Sequence, residues 1–145
     1  STMRFEKNDY VTWKKLDAGR SVMLDLNSGH YYTLNEAATV VWEMLSNRIP
    51  VDDVERRTCE VFKADQVTVR GDVREFVDVL SQKGFLRKAA LGIVDAASGK
   101  DSVQLSVGSY AKPAMDEHEA VQEITASGSA GSGGSSSGSH YWYPN

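Results

Sequence analysis

The chain has 145 residues, 41% of them apolar and 25% charged, which is enough for one modest domain. No apolar run approaches the ~18–20 residues that cross a bilayer, so we expect no membrane partner. The net charge is −4, and it comes from residues 101–126, because the first 100 residues hold equal numbers of basic and acidic side chains. A neutral domain with an acidic extension argues against nucleic acid, which attracts clusters of Lys and Arg. The single cysteine, Cys59, excludes an internal disulfide and favours a reducing cytoplasm.

Three stretches with β character come first, at residues 10–16, 21–26 and 30–34. Apolar and polar side chains alternate along the first two, and the third is aromatic and β-branched. Glycines in the two short loops supply the positive φ that tight hairpins need. The pattern predicts a three-stranded antiparallel meander, with Tyr32 facing the core beside Leu34 and with Tyr31 facing outward.

The apolar period then changes to 3.6 residues, which indicates helices. Asn35 is a good N-cap for a first helix, and a second helix is predicted over 51–62, with an apolar stripe that ends at Phe62. A third is predicted over about 72–82, where Asp72 and Glu75 have the spacing of a capping box, with a start near Thr68 as the alternative. It is expected to end at Gly84. The fold class is therefore α+β: a winged-helix-like domain in which a three-stranded antiparallel sheet is followed by three helices.

The chain changes character after residue 90. Residues 91–101 lack periodicity and are interpreted as a linker or a fusion junction. Residues 102–107 alternate cleanly and predict a strand, residues 112–124 predict a short helix, and residues 127–139 are Ser and Gly with one Ala, which predicts a flexible tail extending to residue 145.

No set of residues indicates catalysis. The three histidines lie in separate segments without metal-ligand spacing, and nothing near Cys59 in sequence would activate a thiol. We expect no enzyme activity, no metal and no cofactor.

The stretch from Gly29 to Trp42, followed by Asp72-Val73 and Lys83-Gly84-Phe85-Leu86, resembles the PqqD-like family. The resemblance implies that residues 3–90 bind the leader of a ribosomally made precursor peptide, as an added strand beside the third strand and against the third helix. The peptide-binding residues it implies are His30, Tyr31, Tyr32, Thr33, Leu34, Arg70, Val73, Arg74, Val77 and Ser81.

A second resemblance lies in residues 102–126. Tyr110-Ala-Lys-Pro113-Ala-Met115 is similar to the YxxPxL element of lasso-peptide leaders, with Thr125 where those leaders carry a threonine as the next-to-last residue. Residues 127–145 would then be the core, although they contain no carboxylate side chain to close a lasso ring. The leader residues implied are Val103, Leu105, Val107, Tyr110, Pro113, Met115 and Thr125.

Together the resemblances imply a non-catalytic domain that presents a leader to maturation enzymes such as a leader peptidase and a cyclase. We expect residues 102–107 to form the added strand beside residues 30–34. Two alternatives stay open: a peptide chaperone for a radical SAM or other modifying enzyme, and a winged-helix nucleic-acid-binding domain.

Overall fold

The computed structural model describes residues 3–90 and 108–119. In chain order the elements are β1 (Phe5–Lys7), β2 (Val11–Lys15), β3 (Ser21–Asp25), β4 (Tyr31–Leu34), α1 (Glu36–Ser46), α2 (Val51–Phe62), α3 (Gln66–Gln82), β5 (Leu86–Lys88) and β6 (Met115–His118). A short 3₁₀ turn, Asp17–Gly19, connects β2 to β3. No helix within these described residues is long and apolar enough to span a membrane.

The predicted meander is confirmed: β2, β3 and β4 pair antiparallel in that order. Gly29, in the turn between β3 and β4, has φ +81°, which glycine adopts without the clash that a Cβ would cause. The alternation of the side chains is also as predicted, because Tyr32 and Leu34 are buried and Tyr31 is half-buried.

The core lies between this sheet and the three helices. Trp42 on α1 is fully buried at its centre and meets Trp13 of β2 edge to face, with ring centroids 6.3 Å apart. The core side of β4 contributes Tyr32, which contacts Phe85 just beyond α3 in the same edge-to-face manner.

Two helix starts follow from capping chemistry. The Asn35 side chain accepts a hydrogen bond from the Ala38 amide at 2.9 Å, as an N-cap should. The predicted start of α3 at Asp72 is wrong, because Asp65 caps this helix by accepting from the Thr68 amide. The earlier start leaves Asp72 in the middle of α3, with its side chain available for a tertiary contact.

The predicted class of mixed α and β, with three helices and antiparallel sheets, is confirmed, but the sheets differ in number and size. A second, two-stranded sheet joins β1 to β5, with Phe5 opposite Lys88. Each strand has only three residues, which is too short for an alternation to be recognised in sequence. The main sheet has four strands rather than three.

The fourth strand is not the predicted one. Strand β6 pairs antiparallel with β4, on the side of β4 opposite β3. Residues 102–107 themselves lie outside the described residues. The helix predicted over 112–124 is also wrong where it is described, since Met115–His118 is extended.

Candidate functional site

The edge of β4 that faces away from β3 is covered by a segment distant in sequence, residues 108–119, which we call the docked segment. Its strand β6 places Met115 opposite Leu34, Glu117 opposite Tyr32 and His118 opposite Tyr31. Because cross-strand partners share a face of the sheet, Met115 and Glu117 lie on the core side and His118 lies on the outer side. The contact between β4 and the docked segment, which we call the junction, therefore has two chemically different faces.

Asn35 continues this junction beyond the end of β4. Its backbone amide donates to the Ala114 carbonyl at 3.1 Å, and its side-chain Oδ1 accepts from the Ala114 amide at 3.1 Å. Its Nδ2 donates to the Lys112 carbonyl at 2.9 Å. One residue thus holds the docked backbone on both sides of Pro113, whose own side chain is buried.

Tyr110 occupies a cleft between α2 and α3. Its ring meets Phe62 edge to face at 5.5 Å, and its hydroxyl donates to Oδ2 of Asp72 at 2.8 Å. Burial, and then the hydrogen bond to Asp72, raise the pKa of the Tyr110 phenol above its usual range. Tyr110 and Met115 both pack against the hydrophobic core. The docked segment is therefore anchored by side chains at two points as well as by its backbone.

An exposed ion pair lies beside this cleft, where Nζ of Lys112 is 3.0 Å from Oε1 of Glu75 on α3. Both side chains are more than half exposed, so the pair is worth little free energy. Further along the segment's N-terminal side, a Cβ added to Gly108 would contact the carboxylate of Glu36, so the backbone approaches the start of α1 closely there.

On the core side of the sheet, Glu117 lies among hydrogen-bond donors. His30 Nδ1 is 2.6 Å from Oε2 of Glu117, and this contact is the largest of those that lower the pKa of the carboxyl; Lys83 and Tyr32 add to it. Burial, followed by the charge of Glu117, raises the pKa of Tyr32 to about 12. Lys83 Nζ lies 5.5 Å from the centre of the Tyr32 ring. The docked carboxylate therefore completes a polar network at the end of β4.

On the outer side of the sheet, the imidazole of His118 stacks on Tyr31 with ring centroids 4.7 Å apart and planes 16° from parallel. Nε2 of His118 is also 3.3 Å from the Thr33 hydroxyl. Both faces of β6 thus carry side-chain contacts to β4.

The structure brings together part of the set of residues selected from sequence. His30, Tyr31, Tyr32, Thr33 and Leu34 line the junction, and Tyr110, Pro113 and Met115 dock against it. Four of the proposed leader residues, Val103, Leu105, Val107 and Thr125, lie outside the described residues.

The five residues selected on α3 have other surroundings. Val73 and Val77 are buried in the core, and Ser81 is exposed. Arg70 and Arg74 form ion pairs with the buried Glu55 of α2, at 3.5 and 2.8 Å. The contacts that α3 makes with the docked segment come instead from Asp72 and Glu75, which sequence reasoning did not select. Lys83, the C-cap of α3, helps to lower the pKa of Glu117 through its charge.

Three further residues of the junction were missed. Asn35 was recognised only as a cap, Phe62 only as a member of an apolar stripe, and His118 only as a histidine without metal-ligand spacing. The position of Asn35 directly after a predicted edge strand was the one signal that could have identified it.

Among residues 3–90 and 108–119 no group of three or more His, Cys, Asp or Glu side chains could hold a metal ion. Burial raises the pKa of the Cys59 thiol, with nearby carboxylates adding to the effect, which disfavours the reactive thiolate.

Comparison with known proteins agrees with this geometry. Residues 20–86 match the family model described as "Coenzyme PQQ synthesis protein D (PqqD)". The matched residues contain β3, β4 and the three helices and end at the first residue of β5. No curated protein matches the chain.

Two solved structures are similar to this chain. One is described as "TbiB1 in Complex with the TbiA(beta) Leader Peptide"; it is 26% identical, with a TM-score of 0.52, and the match covers 62% of this chain and 99% of that one. The other, "Lasso peptide synthetase B1 complexed with the leader peptide", is 23% identical, with a TM-score of 0.53, and the match covers 58% of this chain and 98% of that one. The second likeness concerns the fold alone.

Proposed function

We propose that the chain binds the leader of a ribosomally made precursor peptide and presents it to maturation enzymes. The premise is that residues 20–86 form a PqqD domain, a recognition element for such ribosomally made and modified peptides (RiPPs). The observation that carries this proposal is the pairing of β6 with β4 while Tyr110 and Pro113 dock beside it. The solved relative whose sequence is 26% identical contains a leader peptide, which supports the same reading.

Strand addition explains how such a domain accepts a peptide. An edge strand has unpaired N–H and C=O groups, and an incoming strand satisfies them with little demand on its own side chains. Selectivity must then come from side chains that fill clefts, and Tyr110 and Pro113 fill that role here. Holding the peptide requires no reaction, so the proposed role is binding without catalysis.

We assign residues 102–126 as a leader of lasso-peptide type, joined by residues 91–101 to a recognition element of residues 3–90. Residues 127–145 are then its core or tail. A short linker gives an effective concentration of order mM, so the segment would dock on its own chain even if its intrinsic affinity were low. The proposed partners are a leader peptidase and a cyclase, and the proposed compartment is the cytoplasm.

One observation favours a second candidate function. Residues 127–145 contain no Asp or Glu side chain, and a lasso ring needs such a carboxylate to form its amide. Presentation of the peptide to a different modifying enzyme, such as a radical SAM enzyme, is therefore the second candidate, with the same leader-binding site.

The test uses the full chain with its own segment disabled by Tyr110→Ala and Pro113→Ala, which we call the open-site chain. A fluorescent peptide of residues 102–126 is added, and its anisotropy is measured. Saturable binding is expected, whereas a peptide of the same composition in scrambled order should stay free. Equal binding of both peptides, or of neither, would contradict the proposed function.

A further inference from the structure

Asn35 performs two tasks that are usually separate. The first is capping: Oδ1 accepts from the Ala38 amide at 2.9 Å, and the Asn35 carbonyl accepts from the Thr39 amide at 2.9 Å in the first turn of α1. An aspartate, serine or threonine would cap a helix about as well as asparagine. Capping alone therefore does not require a carboxamide at this position.

The second task is to replace a missing backbone acceptor. Residues that face each other in a hydrogen-bonded antiparallel pair exchange two N–H···O=C bonds. Asn35 and Ala114 make the first of these, from the Asn35 amide to the Ala114 carbonyl. The Asn35 carbonyl is already used by Thr39 in α1, so the Ala114 amide bonds to the side-chain Oδ1 instead. The side chain thereby extends the sheet one pair beyond β4.

The amide end of the same side chain extends the contact further. Nδ2 of Asn35 donates to the Lys112 carbonyl at 2.9 Å. Alternate residues of a paired strand direct their backbone groups towards the partner, so position 113 between the two bonded residues directs its groups away from β4. A proline there loses no hydrogen bond to the domain, and its fixed φ lowers the entropy cost of docking.

We propose that Asn35 is a binding residue of the peptide site: its carboxamide holds the peptide backbone on both sides of Pro113, through one acceptor and one donor. This inference rests on the proposed function and goes further by naming the side chain that holds the proline-containing segment at the end of β4. Only a side chain with both a carbonyl oxygen and an N–H of this reach satisfies the Ala114 amide and the Lys112 carbonyl together. Both hydrogen bonds are made to backbone atoms, so they do not depend on which side chains stand at positions 112 and 114.

The test substitutes Asn35→Asp in the full chain. Aspartate keeps the acceptor and the cap, but it cannot donate to the Lys112 carbonyl. Amide hydrogen exchange then reports both tasks at once: slowly exchanging amides inside α1 report the stability of the domain, and the amides of Ala114, Asp116 and His118 report docking. Asn27→Asp is the matched control, because Asn27 is exposed in the turn between β3 and β4 and the charge change is the same.

The expected result is that Asn35→Asp lowers the protection of the segment amides about tenfold, the scale of one lost hydrogen bond. Protection within α1 should stay within about twofold, and Asn27→Asp should change neither. The effect should persist in 0.5 M salt, which screens charge repulsion. Unchanged protection of the segment in Asn35→Asp would overturn the inference, as would a parallel loss in α1.

A failure of the proposed function would look different. In that case the labelled 102–126 peptide would not bind the open-site chain, whether position 35 is asparagine or aspartate. If it binds and Asn35→Asp leaves its affinity unchanged, only the inference about Asn35 fails.

Discussion

The hydroxyl of Tyr110 and the carboxylate of Asp72 lie 2.8 Å apart, and this hydrogen bond ties the docked segment to the middle of α3. The Tyr110 ring meanwhile packs on Phe62. The two contributions can be separated, because phenylalanine keeps the ring and removes only the hydroxyl.

We expect Tyr110→Phe in the labelled 102–126 peptide to weaken binding to the open-site chain by about tenfold, the scale of a hydrogen bond to a charged group. Tyr110→Ala should cost ~2 kcal/mol or more, about 30-fold, because it also removes the packed ring. Anisotropy titrations measure both. If Asp72→Ala in the open-site chain leaves the penalty of Tyr110→Phe unchanged, the hydroxyl does not act through Asp72.

Docking should weaken in acid through Glu117. The hydrogen bond from His30, with the Lys83 charge and Tyr32 adding to it, lowers the pKa of this carboxyl in the docked state from its ordinary 4.5. A group with a lowered pKa stabilises the docked state above its ordinary pKa, and the gain is lost as the pH falls through the lowered value. Peptide affinity should therefore drop as the pH decreases below 4.5.

The control for this pH dependence is Glu117→Gln, which removes the titrating carboxyl and keeps the size of the side chain. The difference between the parent and Gln profiles isolates Glu117. If peptide affinity changes with pH in the same way for the parent and the Gln variant, the Glu117 carboxyl does not contribute to the pH dependence of docking.

The ion pair between Lys112 and Glu75 should contribute little. Both side chains are more than half exposed, so Lys112→Ala in the peptide should change affinity by less than about threefold. The change should disappear in 0.5 M salt because solvent-exposed charges are screened. A larger, salt-resistant loss would mean that the aliphatic stem of Lys112, rather than its charge, packs on α3.

Arg74 should matter for stability rather than for peptide affinity. It donates from Nε to the buried Glu55 at 2.8 Å, so it links α3 to α2. Glu55→Ala should lower the free energy of unfolding by about 1 kcal/mol, because it removes the hydrogen bond that Arg74 donates between the two helices. Arg74→Ala should lower stability in the same direction, as measured by urea denaturation of the full chain.

The anisotropy titration completes this test, since Arg74 was selected from sequence as a peptide-binding residue. We expect Arg74→Ala in the open-site chain to bind the labelled peptide within twofold of its parent. A larger loss of affinity without a loss of stability would make Arg74 a peptide contact.

The sequence alone determined the elements that depend on short-range patterns. The alternation along β2 and β3, the Asn35 cap and the apolar stripe of α2 each act within a few residues, so their chemistry is visible in a local stretch. The Tyr110–Pro113 spacing is visible in the same way, because both anchors lie within four residues. The structure reproduces the predicted strands, the Asn35 cap and the second helix, and the proposed site depends on Tyr110 and Pro113.

Only the tertiary structure decided which segment pairs with β4. Residues 102–107 alternate well and were the natural choice, whereas β6 reads Met-Asp-Glu-His, with two acids that strands usually avoid. Backbone pairing is nearly blind to side chains, so intrinsic strand propensity could not select the register. The anchors select it: with Tyr110 in the α2–α3 cleft and Asn35 holding the backbone around Pro113, the next residues to reach β4 are Met115–His118.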